Sequence, residues 1–247
     1  MKVVLITGAS RGIGAATAKL AAKCGYAVCI NYKRDAAAAE HISTDIKTHG
    51  GTAIIVAADI ADETEVIRLF DTCHQQLGYI DALVNNAGIL EKQMRLAQMD
   101  VGRMQRILNT NVIGSLLCAR EAVKRMSTRH GGHGGAIVNV SSAAARLGAP
   151  NEYIDYAASK GAIDSLTIGL AKEVAEEGIR VNAVRPGLIH TEMHASGGEP
   201  GRIDRLKTSV PMKRGGTAEE VAQAIMWLLS DESSYVTGTI IDVTGGR

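Results

Sequence analysis

Aromatic residues are scarce in this sequence, which has one Trp, one Phe and six Tyr among its 247 residues. Modules that bind nucleic acid by stacking bases need exposed rings, so this class is disfavoured. Charge of one sign is not in excess either, because 27 Lys+Arg stand against 26 Asp+Glu. No electrostatic surplus favours a nucleic acid or an anionic membrane. The core must therefore consist of Ala, Val, Ile and Leu.

Paired cysteines and long hydrophobic runs are also missing. The four cysteines, at positions 24, 29, 73 and 118, form no CxxC pair, and a chain of this length needs no disulfide staples, so we expect free thiols. The first apolar run stops at Gly8, which is too short for a signal peptide. No stretch approaches the roughly 20 apolar residues of a membrane span. We expect a cytoplasmic protein.

Strand and helix patterns alternate along the whole chain. The predicted strands are Val3–Thr7, Ala27–Tyr32, Ala53–Asp59, Ala82–Asn85, Ala136–Val140, Arg180–Val184 and Thr239–Val243. The predicted helices cover 12–24, 35–49, 62–77, 100–127, 155–177 and 217–230. Most strands are continuously apolar, as in strands that are buried on both faces. The alternation predicts an α/β fold with a parallel sheet of about seven strands and helices on both faces.

No linker or repeat divides the sequence, so we expect residues 1–247 to form a single domain. The four prolines, at positions 150, 186, 200 and 211, all lie outside the helical patterns. The one long irregular stretch rich in Gly and Pro is His190–Gly216, and such a stretch is usually a lid, a binding loop or disorder. We interpret about 190–212 as a substrate lid.

A glycine-rich turn joins the first strand to the first helix, with the sequence TGASRGIG at 7–14. Gly8 permits a sharp turn, Gly12 lets the backbone approach a pyrophosphate, and Gly14 lets helix and strand pack closely. The N–H groups at the helix N-terminus then bind the anion. An ordinary βα turn is the alternative, but the strand and helix that flank the motif favour a nucleotide site.

The end of the second strand indicates which dinucleotide binds. An acid about 20 residues beyond the loop would hold a ribose 2′-hydroxyl. Residues Asn31–Arg34 contain no acid, and the next one, Asp35, is expected to cap a helix. Lys33 and Arg34, together with Arg11, would attract a 2′-phosphate. NADP(H) is therefore favoured over NAD(H), although Lys33 and Arg34 could also form a solvated strand end.

Tyr156 and Lys160 form a YxxxK pattern at the start of the helix predicted over 155–177. Residues four apart share one face of a helix. A nearby ammonium lowers the pKa of a phenol, so we expect Tyr156 to exchange a proton with a carbonyl or alcohol oxygen. The YxxxK pattern also arises by chance as a pair on a helix surface, so it indicates a catalytic site only together with its companion residues.

Those companions are polar residues at strand ends and within one helix. Ser141 and Ser142 follow the strand Ala136–Val140, and the stretch 85–88 ends another strand with NNAG. The carboxyl ends of parallel strands border the ligand crevice. Asn111 lies inside a predicted helix, where Asn is a poor helix former. We expect it to have a functional role, with a satisfied buried amide as the alternative.

These motifs together resemble the short-chain dehydrogenase/reductase family over essentially the whole chain. The resemblance rests on TGxxxGxG at 7–14, Asp59, NNAG at 85–88, Asn111, Ser142, YxxxK at 156–160 and Pro186-Gly187. It implies a Rossmann-type, doubly wound fold. It also implies that Tyr156 is the general acid/base, that Ser142 orients the substrate, that Lys160 lowers the pKa of Tyr156 and holds the nicotinamide ribose, and that Asn111 anchors a water in a proton relay. The implied cofactor-binding residues are Gly8, Ser10, Arg11, Gly12, Ile13, Gly14, Asn31, Lys33, Arg34, Asp59, Ile60, Asn86, Ala87, Gly88, Tyr156, Lys160, Pro186, Gly187, Ile189 and Thr191.

One interval departs from the family pattern. The spacing from Ser142 to Tyr156 is usually one residue shorter, so the loop 149–154 carries an extra residue and Ser141 competes for the role of Ser142. The closest subgroup resembles glucose 1-dehydrogenase and 3-oxoacyl-[acyl-carrier-protein] reductase. We expect an NADP(H)-dependent oxidoreductase acting on a small carbonyl or alcohol. A 3-oxoacyl-thioester reductase and a non-catalytic dinucleotide-sensing protein are the alternatives.

The sequence indicates less about the substrate, a metal site and the oligomeric state. Polar residues in the lid and in the loop 149–154 favour a small polar substrate; they are Glu152, Tyr153, His190, Glu192, His194, Glu199 and Arg202. The pattern His190-x-Glu192-x-His194 lies in a Gly-rich loop, so we expect no metal. The basic residues Arg103, Arg106, Lys124 and Arg125 are interpreted as charged helix faces rather than a carrier-protein patch. The resemblance implies a homotetramer, with a dimer as the fallback.

Overall fold

The sheet is built from seven parallel strands, and the computed structural model describes all residues from 1 to 247. The strands are β1 (Val3–Ile6), β2 (Ala27–Tyr32), β3 (Thr52–Ala57), β4 (Ala82–Asn85), β5 (Gly135–Val140), β6 (Ile179–Pro186) and β7 (Ile240–Val243). Their order across the sheet is β3-β2-β1-β4-β5-β6-β7. The seven-stranded parallel sheet predicted from the alternating pattern is confirmed.

Helices cover both faces of this sheet. They are α1 (Gly12–Lys23), α2 (Ala36–Thr48), α3 (Glu63–Leu77), α4 (Val101–Leu108), α5 (Gly114–Met126), α6 (Ala144–Leu147), α7 (Ile154–Glu173), α8 (Met193–Ser196), α9 (Arg202–Leu206) and α10 (Ala218–Leu229). Helices α1, α2 and α10 contribute to one apolar layer, and α3, α5 and α7 to the other. In β1, Val4 and Ile6 face the first layer, whereas Val3 and Leu5 face the second. Burial on both faces explains the continuously apolar strands.

Two stretches differ from their predicted form. The helix predicted over 100–127 is interrupted by a single π-helical turn, Asn109–Ile113, between α4 and α5. The stretch after β6 is less irregular than expected, because it contains α8 and α9 and is joined at its base by a β-bridge between Ile189 and Gly216. Four cysteines carry free thiols. None of the helices combines the length and the apolar character that crossing a membrane requires.

Candidate active site

A cleft of about 890 Å³ opens along the carboxyl ends of the strands. It lies where the strand order reverses between β1 and β4, which is where ligands bind in open parallel sheets. Every predicted cofactor-binding residue lines this cleft except Gly14, which packs behind the turn, and Ser142 lines it as well. Of the predicted catalytic residues, only Asn111 lies behind the surface of the cleft.

The glycine-rich turn has little room for side chains. Gly8 and Gly12 adopt positive φ angles of 61° and 55°, a region that favours glycine. A Cβ atom at Gly14 would lie 2.5 Å from the side-chain nitrogen of Asn86 and 2.7 Å from the carbonyl oxygen of Gly8. The side chain of Asn31 accepts a hydrogen bond from the Gly8 N–H at 3.2 Å. The turn is thus held against β2 and β4 with its backbone facing the cleft.

Helix α1, which follows this turn, begins differently from four other helices. Its N-cap residue, Arg11, makes no side-chain cap, and the first turn contains no acid. By contrast, α2, α3, α4 and α10 are capped by the side chains of Asp35, Asp62, Asp100 and Thr217. The first N–H groups of α1 therefore have no side-chain partner, which fits a phosphate-binding helix N-terminus. The cap predicted at Asp35 is confirmed.

Three cations line the cleft near the end of β2, namely Lys33 and Arg34 after the strand and Arg11 in the glycine-rich turn. Lys33 forms an ion pair with Asp59, the residue that the resemblance places beside the adenine. Arg34 and Arg11 are exposed and have no ion-pair partner. Both line the cleft. The positive charge that is free to meet a ligand therefore comes from the two arginines more than from Lys33.

Tyr156 and Lys160 project from the first turns of α7 into the centre of the cleft. The Lys160 ammonium lies 5.6 Å from the centroid of the Tyr156 ring and donates a hydrogen bond to the carbonyl oxygen of Val140 at 2.7 Å. Both side chains are buried. The helix face expected from the i,i+4 spacing is thus the face that meets the end of β5.

Burial controls the protonation of this pair. It raises the pKa of Tyr156 to about 12, against a smaller lowering effect from a hydrogen bond with Ser142. It also lowers the pKa of Lys160 to about 8, while the charge of Asp164 opposes this change. Desolvation of the phenolate is thus the larger of the two effects on Tyr156. The role of Lys160 in lowering the pKa of Tyr156 stays a prediction.

The two adjacent serines have separate environments. Ser141 is buried, and its hydroxyl donates to the carbonyl oxygen of Lys160 at 3.1 Å. The Ser142 hydroxyl accepts the N–H of Ala144 at 3.1 Å, lines the cleft and lies close enough to Tyr156 to lower its pKa. This geometry favours Ser142 over Ser141 as the serine that meets a substrate oxygen.

Asn111 occupies the π-helical turn and is fully buried. Its side chain accepts the Ile89 N–H at 2.8 Å and donates to the Ile89 carbonyl at 3.1 Å and to the Ser159 hydroxyl at 3.0 Å. Ser159 in turn donates to the carbonyl of Tyr156 at 2.7 Å. Asn111 therefore ties the loop after β4 to α7, and both the oxygen and the nitrogen of its side-chain amide take part in these hydrogen bonds.

The remaining cofactor-side positions are shaped by close backbone approaches. Asn86 donates to the carbonyl oxygens of Thr7 and Gly8 at 2.8 and 3.0 Å. A Cβ atom at Gly88 would lie 3.5 Å from the Lys160 ammonium nitrogen. The predicted residues on the opposite wall lie between the end of β6 and the lid; they are Pro186, Gly187, Ile189 and Thr191.

An ion-pair cluster, which we call the lid anchor, ties the segment predicted to be a lid to the loop before α7. Its members are Glu152, Glu199, Arg202 and Arg205. Arg202 contacts Glu152 at 2.5 Å and Glu199 at 3.1 Å, and its guanidinium lies 5.1 Å from the ring of Tyr153. None of these residues lines the cleft. Glu152, Glu199 and Arg202 belong to the polar set from which the sequence favoured a small polar substrate, and in the structure they pair with one another.

The segment after β6 instead lines the cleft through Glu192, Met193 and His194, and Leu90 lines it as well. His194 bonds through Nε2 to the carbonyl of Ile189 at 3.0 Å, and burial lowers the pKa of its imidazole. The structure contains no group of three or more His, Cys, Asp or Glu side chains placed to hold a metal ion.

Known proteins resemble this chain over its whole length. A family model described as enoyl-(acyl carrier protein) reductase matches residues 8–247. The chain is 59% identical over 247 residues to the uncharacterized oxidoreductase YgfF of Escherichia coli (strain K12), covering 100% of both chains. It is 38% identical over 246 residues to glucose 1-dehydrogenase 2 of Bacillus subtilis (strain 168), covering 99% of this chain and 94% of that one. A solved short-chain dehydrogenase/reductase from Serratia marcescens BCRC 10948 has a TM-score of 0.91 at 31% identity, covering 99% of this chain and 97% of that one.

The fold, the cleft and these relatives define an oxidoreductase of a class that uses nicotinamide cofactors. The chain belongs to the short-chain dehydrogenase/reductase family, as its sequence motifs predicted. The glycine-rich turn, the N-terminus of α1 without a side-chain cap and the polar strand ends fit such a cofactor.

Proposed function

We propose that the chain is an NADP(H)-dependent reductase or dehydrogenase that transfers a hydride between nicotinamide and a small carbonyl or alcohol substrate. Residues 1–247 would act as one catalytic domain, with about 190–212 as its lid. The observation that carries the proposal is the meeting of Tyr156, Ser142 and Lys160 at the end of β5. The same cleft contains the glycine-rich turn.

Bound nicotinamide supplies or accepts the hydride. Tyr156 holds the proton that passes to the substrate oxygen, and Ser142 orients that oxygen by a hydrogen bond. A buried phenol with a pKa of about 12 stays protonated at neutral pH, so it is suited to act as the acid in carbonyl reduction. Lys160 provides a positive charge within 5.6 Å of the ring, which stabilises the phenolate once the proton has left.

The choice of NADP(H) is supported by the charges at the end of β2. Arg34 and Arg11 line the cleft without carboxylate partners, and a guanidinium binds phosphate with charge-assisted hydrogen bonds. Two acids line this part of the cleft, and both are engaged, because Asp35 caps α2 and Asp59 pairs with Lys33. A free carboxylate at this position would repel a 2′-phosphate and is not present.

The experiment is turnover of NADPH with a panel of ketones and aldehydes, followed by Tyr156→Phe. We expect the variant to lose about 10²- to 10⁴-fold in kcat, because the proton donor is gone, while its dissociation constant for NADPH changes little. Tyr79→Phe is the matched control, since Tyr79 is exposed and lies outside the cleft. Full activity in Tyr156→Phe would refute the mechanism. NADPH binding without turnover of any ketone would instead favour the dinucleotide-sensing alternative.

A 3-oxoacyl thioester is the second candidate substrate, favoured by 38% identity over 246 residues to a 3-oxoacyl-[acyl-carrier-protein] reductase of Synechocystis sp.. The basic residues available for a carrier protein are already paired, however. Arg106 pairs with Glu91, Lys124 and Arg125 with Glu121, and Arg103 is buried. We therefore favour a small carbonyl compound, and reduction of an acetoacetyl thioester at a higher kcat/KM than any simple ketone would reverse this choice.

We also propose a cytoplasmic homotetramer, with a dimer as the fallback. On α7, Gly161 and Gly169 have open space where a Cβ atom would be, and Ile168 is 42% exposed. On α5, Leu116 is exposed to the same extent. Small residues beside exposed apolar ones suit helix packing between subunits. Sedimentation analysis of the full chain tests this, and a monomer at micromolar concentration would contradict it.

A further inference from the structure

A buried ion pair joins α4 to α7 directly behind Tyr156. The side chains of Arg103 and Asp155 are only 3% and 4% exposed. The guanidinium donates from Nε to one carboxylate oxygen at 2.7 Å and from Nη2 to the other at 3.3 Å. A buried pair of this kind gains little net stability over apolar packing, because both charges lose their hydration. Its presence therefore calls for a role other than general stabilisation.

The two partners of this pair each hold a further part of the site. Arg103 donates from Nη1 to the carbonyl of Lys92 at 2.5 Å, in the loop after β4. Asp155 accepts the backbone N–H of Tyr156 at 2.9 Å. Helix α7 has no side-chain cap at its N-cap residue, Tyr153, so this carboxylate supplies a hydrogen bond that its first turn otherwise lacks.

We propose that Arg103 is a positioning residue for the reaction. Through Asp155 it fixes the first turn of α7, and so it keeps the phenol of Tyr156 opposite Ser142. The inference rests on the proposed function, in which Tyr156 is the acid/base. A displacement of about 1 Å at a reacting group costs on the order of 100-fold in rate, so a pair that touches neither substrate nor cofactor still controls the chemical step.

The test compares Arg103→Met with wild type in kcat, in NADPH affinity and in amide hydrogen exchange of the segment 154–160. We expect kcat to fall about 10- to 100-fold while the dissociation constant of NADPH changes by less than about twofold. Exchange in 154–160 should accelerate and exchange in β5 should not. Arg103→Lys keeps the charge but loses the two-pronged contact, so it should recover part of kcat. Arg129→Met is the control, because it removes a surface ion pair with Glu176.

A second variant guards against misfolding caused by an unpaired carboxylate. The double variant Arg103→Met with Asp155→Asn leaves no buried charge alone and keeps an acceptor for the Tyr156 N–H. We expect it to fold and to remain at least about threefold below wild type in kcat. Wild-type kcat and wild-type exchange in Arg103→Met or in the double variant would overturn the proposal. So would exchange that accelerates equally throughout the sheet.

The two hypotheses fail separately. If the wild-type protein reduces no carbonyl compound, the proposed function fails, and the exchange measurement still decides whether Arg103 fixes the first turn of α7. If the wild type is active and Arg103→Met is equally active, the positioning role alone is wrong.

Discussion

The cleft beside β2 and the lid anchor use charge in opposite ways. Beside β2, Arg11 and Arg34 are exposed and have no carboxylate partner. In the lid anchor, every charged group has an oppositely charged partner, and Arg202 contacts both Glu152 and Glu199. The cleft beside β2 therefore has positive charge available for a ligand, whereas the lid anchor has already used its charges within the chain.

The exposure and the partners of a charged residue near a cleft indicate its role. An exposed guanidinium remains hydrated and costs little, so it can wait for an anion. A half-buried guanidinium such as Arg202 must have partners, because burial without them is costly. Residues of the first kind are candidates for ligand binding, and residues of the second kind hold a segment in place. Each of the following predictions tests one side of this comparison.

Removing an unpaired cation should have the largest effect. We expect Arg34→Ala to weaken NADPH binding about 10- to 100-fold, since hydrogen bonds to charged groups contribute roughly 1.5–3 kcal/mol, and to leave NADH binding nearly unchanged. Nicotinamide fluorescence titrations measure both constants. Lys47→Ala, at the far end of α2, is the control for lost positive charge. Equal or tighter binding of NADH by the wild-type protein would contradict the NADP(H) assignment.

Reversing the charge at the start of α1 should separate stability from binding. Arg11 has the extended backbone of an N-cap residue, with φ −156° and ψ 172°. Arg11→Asp would supply the missing cap and stabilise the fold by about 1 kcal/mol. It would also repel phosphate, so we expect NADPH and NADH to bind about tenfold more weakly or worse. Thermal unfolding and fluorescence titration check the two effects, and unchanged binding would show that this helix end does not meet the cofactor.

Breaking the lid anchor should have a smaller effect, confined to the segment 190–212. Arg202→Met removes the contacts to Glu152 and Glu199 while keeping the apolar stem beside Tyr153. We expect KM for the carbonyl substrate to rise about threefold to tenfold and NADPH affinity to stay the same, because only the segment over the substrate loosens. Lys207→Met, which removes an exposed pair with Asp204 in the same segment, is the control. A loss of NADPH affinity in Arg202→Met would contradict the separation of the two regions.

The sequence was informative wherever structure depends on local pattern. Continuously apolar strands, the glycine-rich turn and the cap at Asp35 each follow from a few adjacent residues, and all three are present in the structure. The π-helical turn at Asn109–Ile113 was not predicted, because it differs from an α-helix only by one residue in its hydrogen-bond spacing. The mid-helix Asn111 was the one visible signal.

Contacts between distant parts of the chain could not be predicted in the same way. Arg103 and Asp155 are 52 residues apart, and Arg202 and Glu152 are 50 apart. The residues next to Arg103 in the sequence indicate a solvated helix face, and nothing in them shows that Arg103 itself is buried. The raised pKa of Tyr156 is of the same kind, because it comes mainly from burial of the phenol, and burial exists only in the folded protein.

Lowering the pH should weaken the lid anchor, because the carboxylate of Glu199 becomes protonated. The hydrogen bond from Arg205 lowers the pKa of Glu199 to about 2, below the 4.5 of an unperturbed glutamate. A lowered carboxyl pKa means that the anchor is fully present above pH 4.5 and is lost as the pH falls toward 2. At pH 4.5, we expect pepsin to cleave within residues 190–212 about fivefold faster in Glu199→Gln than in the wild-type protein. This ratio reflects the modest stabilisation that several exposed ion pairs provide together. This ratio should approach one as the pH is lowered, because the wild-type carboxylate becomes neutral as well. A ratio that stays constant between pH 4.5 and 2 would show that Glu199 does not hold the lid.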